Sequence, residues 1–493
     1  MADTKLLHSF SDKLFLAILC FVFIIVAMNL IFVPIANWDD VVQHAPLINQ
    51  FSEDGAFGKN FPPKNDLELR SNRYPLLFEA TVALEKMNSD SDYWKLMPLC
   101  ILIFSAYLIY LISKECGFPS LAGSVFFVVS QKTIMLSTTY YVDIYLSLCL
   151  LTAVYFTIRY FKTNDERYLI LAGTCSALGI LTKFTGIIFF VLLATFVLMK
   201  KGINSFLKIS AVTTLISLCY IVNQIVNFGW DIQIGIGTYG QIATNNILLV
   251  ILRNIAEIVK ILIDFNIGLW LLPIVFLFFI ASNYRKDLDG NLKTLNKITL
   301  IFTIGFITIF ALSEHLPNKW GFPRYFYPAY ALLCTSAGLY LEQQAGRMKK
   351  FLFYLAILLI TISLLMTTYN LIEILKSDDN DWQAGPVWNV LPNEKNTKIF
   401  YPISNAVHLG FEKSELVDSM SYSYYDSNAC RFINNNQIDY VVLVEFDNWQ
   451  NKTWPFGENK FEFMKNLEIE LEAHDCTEVI SQNMKFKILK VIK

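Results

Sequence analysis

Long apolar runs leave this chain few folds to choose from. Residues 14–34, 95–113, 118–136, 144–161, 168–183, 186–200, 206–226, 267–282, 298–312, 326–341 and 350–373 are each dominated by apolar side chains. Each is long enough to cross, or nearly cross, the roughly 30 Å hydrocarbon core of a bilayer. Inside that core the backbone must satisfy its own hydrogen bonds, and continuous runs without period-two alternation do so as helices. The expectation is a polytopic α-helical membrane protein with about 11 transmembrane helices. Composition agrees: 54% of residues are hydrophobic and 17% charged, against about 25% charged in ordinary soluble domains. The first run lacks a small-residue cleavage site and is expected to remain as an uncleaved span. A net charge of −2, with no basic patch and no zinc-ligand spacing, argues against a nucleic-acid partner.

Lys and Arg positions set the expected orientation. With the N-terminus in the cytoplasm, one face receives Lys114, "RYFKTNDER" (159–167), "KKGINSFLK" (200–208), "NYRKDLDGNLKTLNK" (283–297) and "GRMKK" (346–350). The other face receives the loop 36–94, "STTYYVD" (137–143), the turn around "LTKFTG" (181–186) and "SEHLPNKWGFPRYFYP" (313–328). Within 227–266, Arg253, Glu257, Lys260 and Asp264 share one helical face, the pattern of an amphipathic helix lying in the outer interface. Residues 74–87 are expected to do the same. From about residue 377 the chain turns polar, with strand-like runs at 398–403, 439–446 and 485–493 and a helical pattern at 459–472. Two domains follow: 1–376, transmembrane and catalytic, and 377–493, a small soluble extracytoplasmic α/β domain. Seven of the nine cysteines lie in or beside apolar runs as small core residues. Cys430 and Cys476 lie in the polar tail and are able to pair if that tail is outside the cytosol.

The outer face carries the residues that invite chemistry. Asp39 and Asp40 directly follow the first span, with His44 five residues after Asp39. A solvated helix start explains two aspartates by itself; the functional reading is a general base held at the membrane boundary. Asp143 places a third acid at the outer end of another span. Lys183 stands at an outer turn that the positive-inside bias disfavours, and Arg324 sits among aromatics with His315 and Lys319 close by in sequence. Snorkelling anchors in an aromatic belt would look similar, but Arg and Lys together also form an anion site suited to phosphate. Carboxylates to accept a proton and cations to hold a departing phosphate fit glycosyl transfer from a lipid-phosphate sugar.

Five motifs carry a family resemblance over residues 10–345. "WDDVVQHAP" resembles the acidic element after the first span of membrane-embedded GT-C glycosyltransferases, including the protein O-mannosyltransferase-like and aminoarabinose-transferase-like groups. "RYPLLFEATVAL" resembles their proline-rich first outer loop, and "YYVDIYLSLCLLTAVYFTIRYF" their second acidic motif. "GTCSALGILTKFTGIIFF" resembles their L-T-K helix pair, and "PRYFYPAYALLCTSAGLYL" the start of a late span. "YYVD" and "DDVVQH" are also similar to the dolichyl-phosphate-glucose-dependent α-1,2-glucosyltransferases, so the subfamily stays open.

The resemblance implies a GT-C fold and an inverting transfer from a polyprenyl-phosphate sugar to an acceptor hydroxyl. That hydroxyl belongs to a cell-surface glycan, a lipid-linked glycan or a protein. It implies Asp39 as catalytic base, with Asp40 the base in an alternative register, and Asp143 organising the acceptor or the base. Lys183 and Arg324 fall to the donor phosphate. His44, His315 and Lys319 are added to the expected substrate-binding residues for their places on the same outer face. Gln43 replaces a common Tyr, and single prolines stand where the family has two, which loosens any assignment of the sugar. No obligatory cofactor is expected. Asp39, Asp40 and Asp143 offer oxygen ligands to Mg or Mn, since some members use a divalent metal. Family associations place the chain in a bacterial inner membrane with a periplasmic tail. A multi-pass transporter or lipid flippase is the alternative, and would want charges deep in the bilayer and paired broken helices. A non-catalytic scaffold would leave the acids and cations without a purpose.

Overall fold

The computed structural model describes residues 2–32, 44, 47–48, 51–52, 76–88, 92–183, 185–228, 247–263, 275, 277–280, 290–312, 321–344, 346–376, 397–400, 415–417, 429–435, 437–444, 469–471, 473, 476–482 and 486–492. Asp39, Asp40, His315 and Lys319 lie outside the described residues, as does most of the expected span 267–282. The chain divides into two compact units, Met1–Pro34 with Arg73–Glu373, and Ile35–Asn72 with Ile374–Lys493.

The first unit is helical. In chain order it contains α1 (Ala2–Phe32), α2 (Leu77–Asn88), a 3-10 turn (Asp92–Leu96), α3 (Met97–Glu115), α4 (Ala122–Val128), α5 (Gln131–Ser137) and α6 (Val142–Thr163). There follow α7 (Glu166–Thr182), α8 (Gly186–Lys201), α9 (Ile203–Phe228), α10 (Ile247–Ile263), α11 (Gly290–Leu312), α12 (Gly321–Gln343) and α13 (Gly346–Lys376). By length and apolar character, Asp12–Ile31, Trp94–Glu115, Val142–Thr163 and Gly290–Leu312 are each able to cross a membrane.

Short turns make α6, α7, α8 and α9 successive antiparallel neighbours. Between α6 and α7, Asn164 adopts the left-handed conformation (φ 55) that closes a helix C-terminus. Asp165 then caps α7, its carboxylate accepting from the Arg167 backbone N–H. Hydrogen bonds from Arg167 also hold the Asp165 carboxyl below the usual carboxylate range. This end of the bundle gathers the basic clusters. Lys162 reaches Glu115 of α3 at 2.9 Å, Lys208 pairs with Glu166, and Asn291 at the start of α11 donates to the Glu115 carbonyl. Asp143 stands at the other end of α6, about 30 Å away at 1.5 Å per residue.

The expected single span 118–136 is instead two short helices, α4 and α5, separated at Val129–Ser130. Ser130 is extended (φ −62, ψ 128) and its hydroxyl accepts from the Thr133 N–H, a capping arrangement that starts a new helix. The interruption survives because its loosened carbonyls find donors. Tyr330 of α12 donates to the Phe126 carbonyl at 3.3 Å, and Ser363 of α13 to the Val129 carbonyl at 2.6 Å. Beside it α4 and α12 touch backbone to backbone, since a Cβ on Gly338 would lie 2.2 Å from the Gly123 nitrogen. Small residues permit this approach between membrane helices.

The amphipathic reading holds in helical form over Ile247–Ile263, while Asp264 lies outside the described residues. Arg253, Glu257 and Lys260 lie on one exposed face of α10, and Leu248, Leu252, Ile255 and Val259 on another. Asn254 turns inward and donates to the Phe310 and Ala311 carbonyls at the end of α11 (3.3 and 3.2 Å). α2 is helical as expected, but Glu79 is buried, so its polar residues do not form one solvated face.

In the second unit β1 (Lys398–Phe400), β2 (Glu415–Val417), β3 (Tyr440–Val444), β4 (Thr477–Gln482) and β5 (Phe486–Val491) form one mixed sheet in the order β2-β1-β3-β5-β4. β1 is parallel to β2 and β3, whereas β5 is antiparallel to β3 and β4. Alternate residues Val441, Leu443, Leu489 and Val491 share a core with Ile433 of α14 (Ala429–Asn435). Cys430 of α14 and Cys476, just before β4, form a disulfide with their Cα atoms 5.9 Å apart. The strands at 398, 440 and 486 were expected; β2, β4 and α14 were not.

Candidate active site

Three residues from three separate parts of the sequence converge at the end of the bundle opposite the basic clusters. Asp143 lies in the first turn of α6, where the helix dipole favours a negative charge, and is fully buried. Lys183 caps the C-terminus of α7 in an extended conformation (φ −156, ψ 138) that throws its side chain off the helix axis. Arg324 occupies the first turn of α12. The Lys183 Nζ lies 2.6 Å from Asp143 Oδ1, and the Arg324 Nε lies 3.1 Å from Asp143 Oδ2. Among the described residues, the one Asp143 carboxylate is shared by both cations.

Each cation also rests on a ring. Arg324 Cζ is 3.8 Å from the Tyr141 centroid, and Lys183 Nζ is 4.4 Å from the Tyr325 centroid. Aromatic faces attract cations and keep water off them. Tyr325 in turn stacks on Phe310 at 5.7 Å, and Phe310 belongs to a run with Phe302 and Phe306, four residues apart, buried between α8, α11 and α12. Sequence reasoning did not single out Tyr141 and Tyr325. Their signal was their place, each within two residues of a charged group in "YYVD" and "PRYFYP".

Two backbone features aim the cations. A Cβ at Gly186 would meet the Gly179 carbonyl oxygen at 2.6 Å, so only glycine lets the chain fold back tightly enough after Lys183. The Gly186 N–H donates to the Lys183 carbonyl at 2.8 Å and closes the turn. Pro328 within α12 has no N–H to give the Arg324 carbonyl, which loosens the helix at the turn carrying the guanidinium.

Of the residues singled out in the sequence, Asp143, Lys183 and Arg324 are brought together; His44 is buried in the other unit. Asp143 is a poor seat for a divalent cation, because two positive side chains already face its two oxygens. Among the described residues no group of three His, Cys, Asp or Glu side chains is arranged to hold a metal ion.

Comparison with known proteins follows the same lines. Residues 84–230 match the family described as dolichyl-phosphate-mannose-protein mannosyltransferase, a segment that includes Asp143 and Lys183 and stops short of Arg324. No curated protein matches in sequence. ArnT from Cupriavidus metallidurans bound to undecaprenyl phosphate superposes with a TM-score of 0.60 at 11% identity, over 97% of this chain and 97% of that one. Its apo state gives 0.60 at 10%, over 99% and 98%. The Archaeoglobus fulgidus oligosaccharyltransferase in its apo form gives 0.52 at 13%, over 89% of this chain and 70% of that one. At these identities the likeness is one of fold, and that fold is GT-C.

Proposed function

We propose that this chain, a membrane glycosyltransferase of the GT-C type, moves a sugar from a polyprenyl-phosphate donor to an acceptor hydroxyl on the extracytoplasmic face. The observation that carries the reading is the Asp143–Lys183–Arg324 cluster. It brings two cations onto one buried carboxylate at one end of the spanning helices, where a lipid's phosphate head group would lie. The bound undecaprenyl phosphate of the similarly folded ArnT supports a polyprenyl-phosphate donor.

In this mechanism Lys183 and Arg324 hold the donor phosphate and stabilise the charge that grows on it. The acceptor oxygen attacks the anomeric carbon with inversion and forms the new C–O bond. The bond to the phosphate oxygen breaks with its electron pair, and Asp39 or Asp40 takes the acceptor's proton. Asp143 positions the cations; taking a proton itself would cost it one of them. His44, His315 and Lys319 are assigned to substrate binding. The disulfide in the second unit favours an oxidising compartment for the tail, in keeping with a cytoplasmic N-terminus and a periplasmic C-terminal domain in a bacterial inner membrane.

The interrupted α4–α5 pair is the feature a transporter would share. Against that alternative, the interruption's carbonyls at Phe126 and Val129 are taken up by neighbouring side chains, and the paired charges lie at helix ends.

Native mass spectrometry with added undecaprenyl phosphate tests the donor site. The expected result is an adduct on the wild type that is lost in Arg324→Ala. An adduct equally stable in both proteins would remove the cluster from the donor site.

A further inference from the structure

Trp94 opens the stretch Trp94–Glu115, long and apolar enough to cross a membrane. It lies in the 3-10 turn Asp92–Leu96, and Pro98 in the first turn of α3 follows it. A tryptophan of the interfacial aromatic belt would present its ring to the head groups. Trp94 is only 6% exposed, and its turn packs on α1, α2 and α3. The ring stacks on that of Tyr140, with centroids 5.4 Å apart and planes 27° from parallel. Lys86 of α2 and Lys95 approach the same ring, at 5.6 and 6.0 Å from its centroid.

That stack reaches the anion site through one peptide bond. Tyr140 and Tyr141 join α5 to α6 and belong to neither helical segment. Tyr140, 2% exposed, stacks on Trp94. Tyr141 is extended (φ −65, ψ 126) and holds the Arg324 guanidinium 3.8 Å from its ring centroid. The Nε of that guanidinium lies 3.1 Å from Asp143, two residues further on. Between two helices no continuous i to i−4 ladder fixes the backbone, so the rings are placed by what they pack on.

We infer that Trp94 is a positioning residue for the anion site: by stacking on Tyr140 it fixes the linker, and so sets the Tyr141 ring on which Arg324 rests. Leucine at position 94 would fill part of the space but offer no flat face. The linker then gains play, and the guanidinium loses the fixed platform that aims it. The inference rests on the reading that this cluster binds the donor's phosphate.

The test titrates wild type, Trp94→Phe, Trp94→Leu, Tyr140→Leu, Tyr141→Leu and the Trp94→Leu/Tyr141→Leu double variant with undecaprenyl phosphate, well below their melting temperatures. Tyr141→Leu is expected to bind about tenfold more weakly, the worth of one desolvated cation–π contact. Trp94→Leu and Tyr140→Leu should each bind roughly fivefold more weakly, the worth of one aromatic pair. Trp94→Phe keeps a ring on Tyr140 and should bind as wild type. The double variant should bind as Tyr141→Leu alone, because the stack then has no platform to set. A tryptophan that only packs would lower the melting temperature of Trp94→Leu and leave the affinity of the folded protein unchanged. That outcome overturns the inference, as do additive losses in the double variant. Should Trp94→Leu not fold, Tyr140→Leu removes the same stack from its other side, alone and combined with Tyr141→Leu, and is read in the same way. A wild type that binds no undecaprenyl phosphate would overturn the donor reading and this inference with it; wild-type binding with unaffected variants overturns this inference alone.

Discussion

A carboxylate buried between two cations is expensive to disturb from its own side. The Asp143 side chain is 1% exposed, against 15% for Lys183 and 20% for Arg324. Asp143→Asn therefore removes the carboxylate from between two neighbouring positive charges, a loss on the order of 3–5 kcal/mol for breaking a buried ion pair. Thermal melts in one detergent should show a marked drop. Replacing all three residues with apolar side chains should recover stability but not lipid binding, and a triple variant as unstable as Asp143→Asn would refute this account. Arg324→Lys separates charge from shape. It keeps the cation but gives up the flat guanidinium over Tyr141, so undecaprenyl phosphate should bind about tenfold more weakly, from roughly 1–2 kcal/mol of desolvated cation–π contact. Equal affinity would mean that charge alone matters. At this scale the sequence was informative, because a charged residue at the end of an apolar run is conspicuous. The meeting of residues 143, 183 and 324 on one carboxylate was not legible, since it depends on where three helices end in space.

Helices set those ends, and their close contacts are testable. Alanine at Gly186 would drive a methyl to 2.6 Å from a backbone oxygen that has no side-chain freedom to yield. The turn must open, and Lys183 moves with it. Gly186→Ala is expected to lose undecaprenyl phosphate binding although every charged residue remains; retained binding would show that the turn does not aim Lys183. For α10, a bilayer-embedded photoreactive phospholipid should label Leu248, Leu252, Ile255 and Val259 and spare Arg253, Glu257 and Lys260. Uniform labelling around the helix would contradict an interfacial position. The charges at 253, 257 and 260 made this helix readable from spacing alone. The break at Ser130 was hidden for the opposite reason: 118–136 is apolar almost throughout, and a serine inside a helix is accommodated by bonding back to the i−4 carbonyl, so its presence alone does not mark a cap. What makes Ser130 a cap is the pair of donors from Tyr330 and Ser363, which come from helices some 200 residues further along the chain.

Across the whole molecule, orientation is the property on which the mechanism depends, and the two units report on it independently. In the helical unit the basic clusters and the Asp143 site occupy opposite ends of the bundle, so a cytoplasmic basic end puts the site outside. In the sheet unit the Cys430–Cys476 bond joins residues 46 apart, and such a bond persists in an oxidising compartment. The pairing was open in the sequence, where the two cysteines shared only a polar region; β4 and α14, which bring them together, were the elements that sequence pattern missed. If both units face as proposed, a membrane-impermeant maleimide added to intact cells should leave Cys430 and Cys476 unlabelled until a reductant is added, and then label them. Labelling without reductant would mean free thiols. Labelling only after the cells are broken and reduced would place the tail inside and invert the topology. Replacing both cysteines with serine should loosen the sheet unit by roughly 4 kcal/mol, the chain-entropy value for closing a loop of this length, and make it the first part of the chain cut in limited proteolysis. If the helical unit still binds undecaprenyl phosphate in that variant, the donor site belongs to the helices alone and the tail acts elsewhere in the reaction. Loss of donor binding would instead make the folded tail a requirement of the donor site.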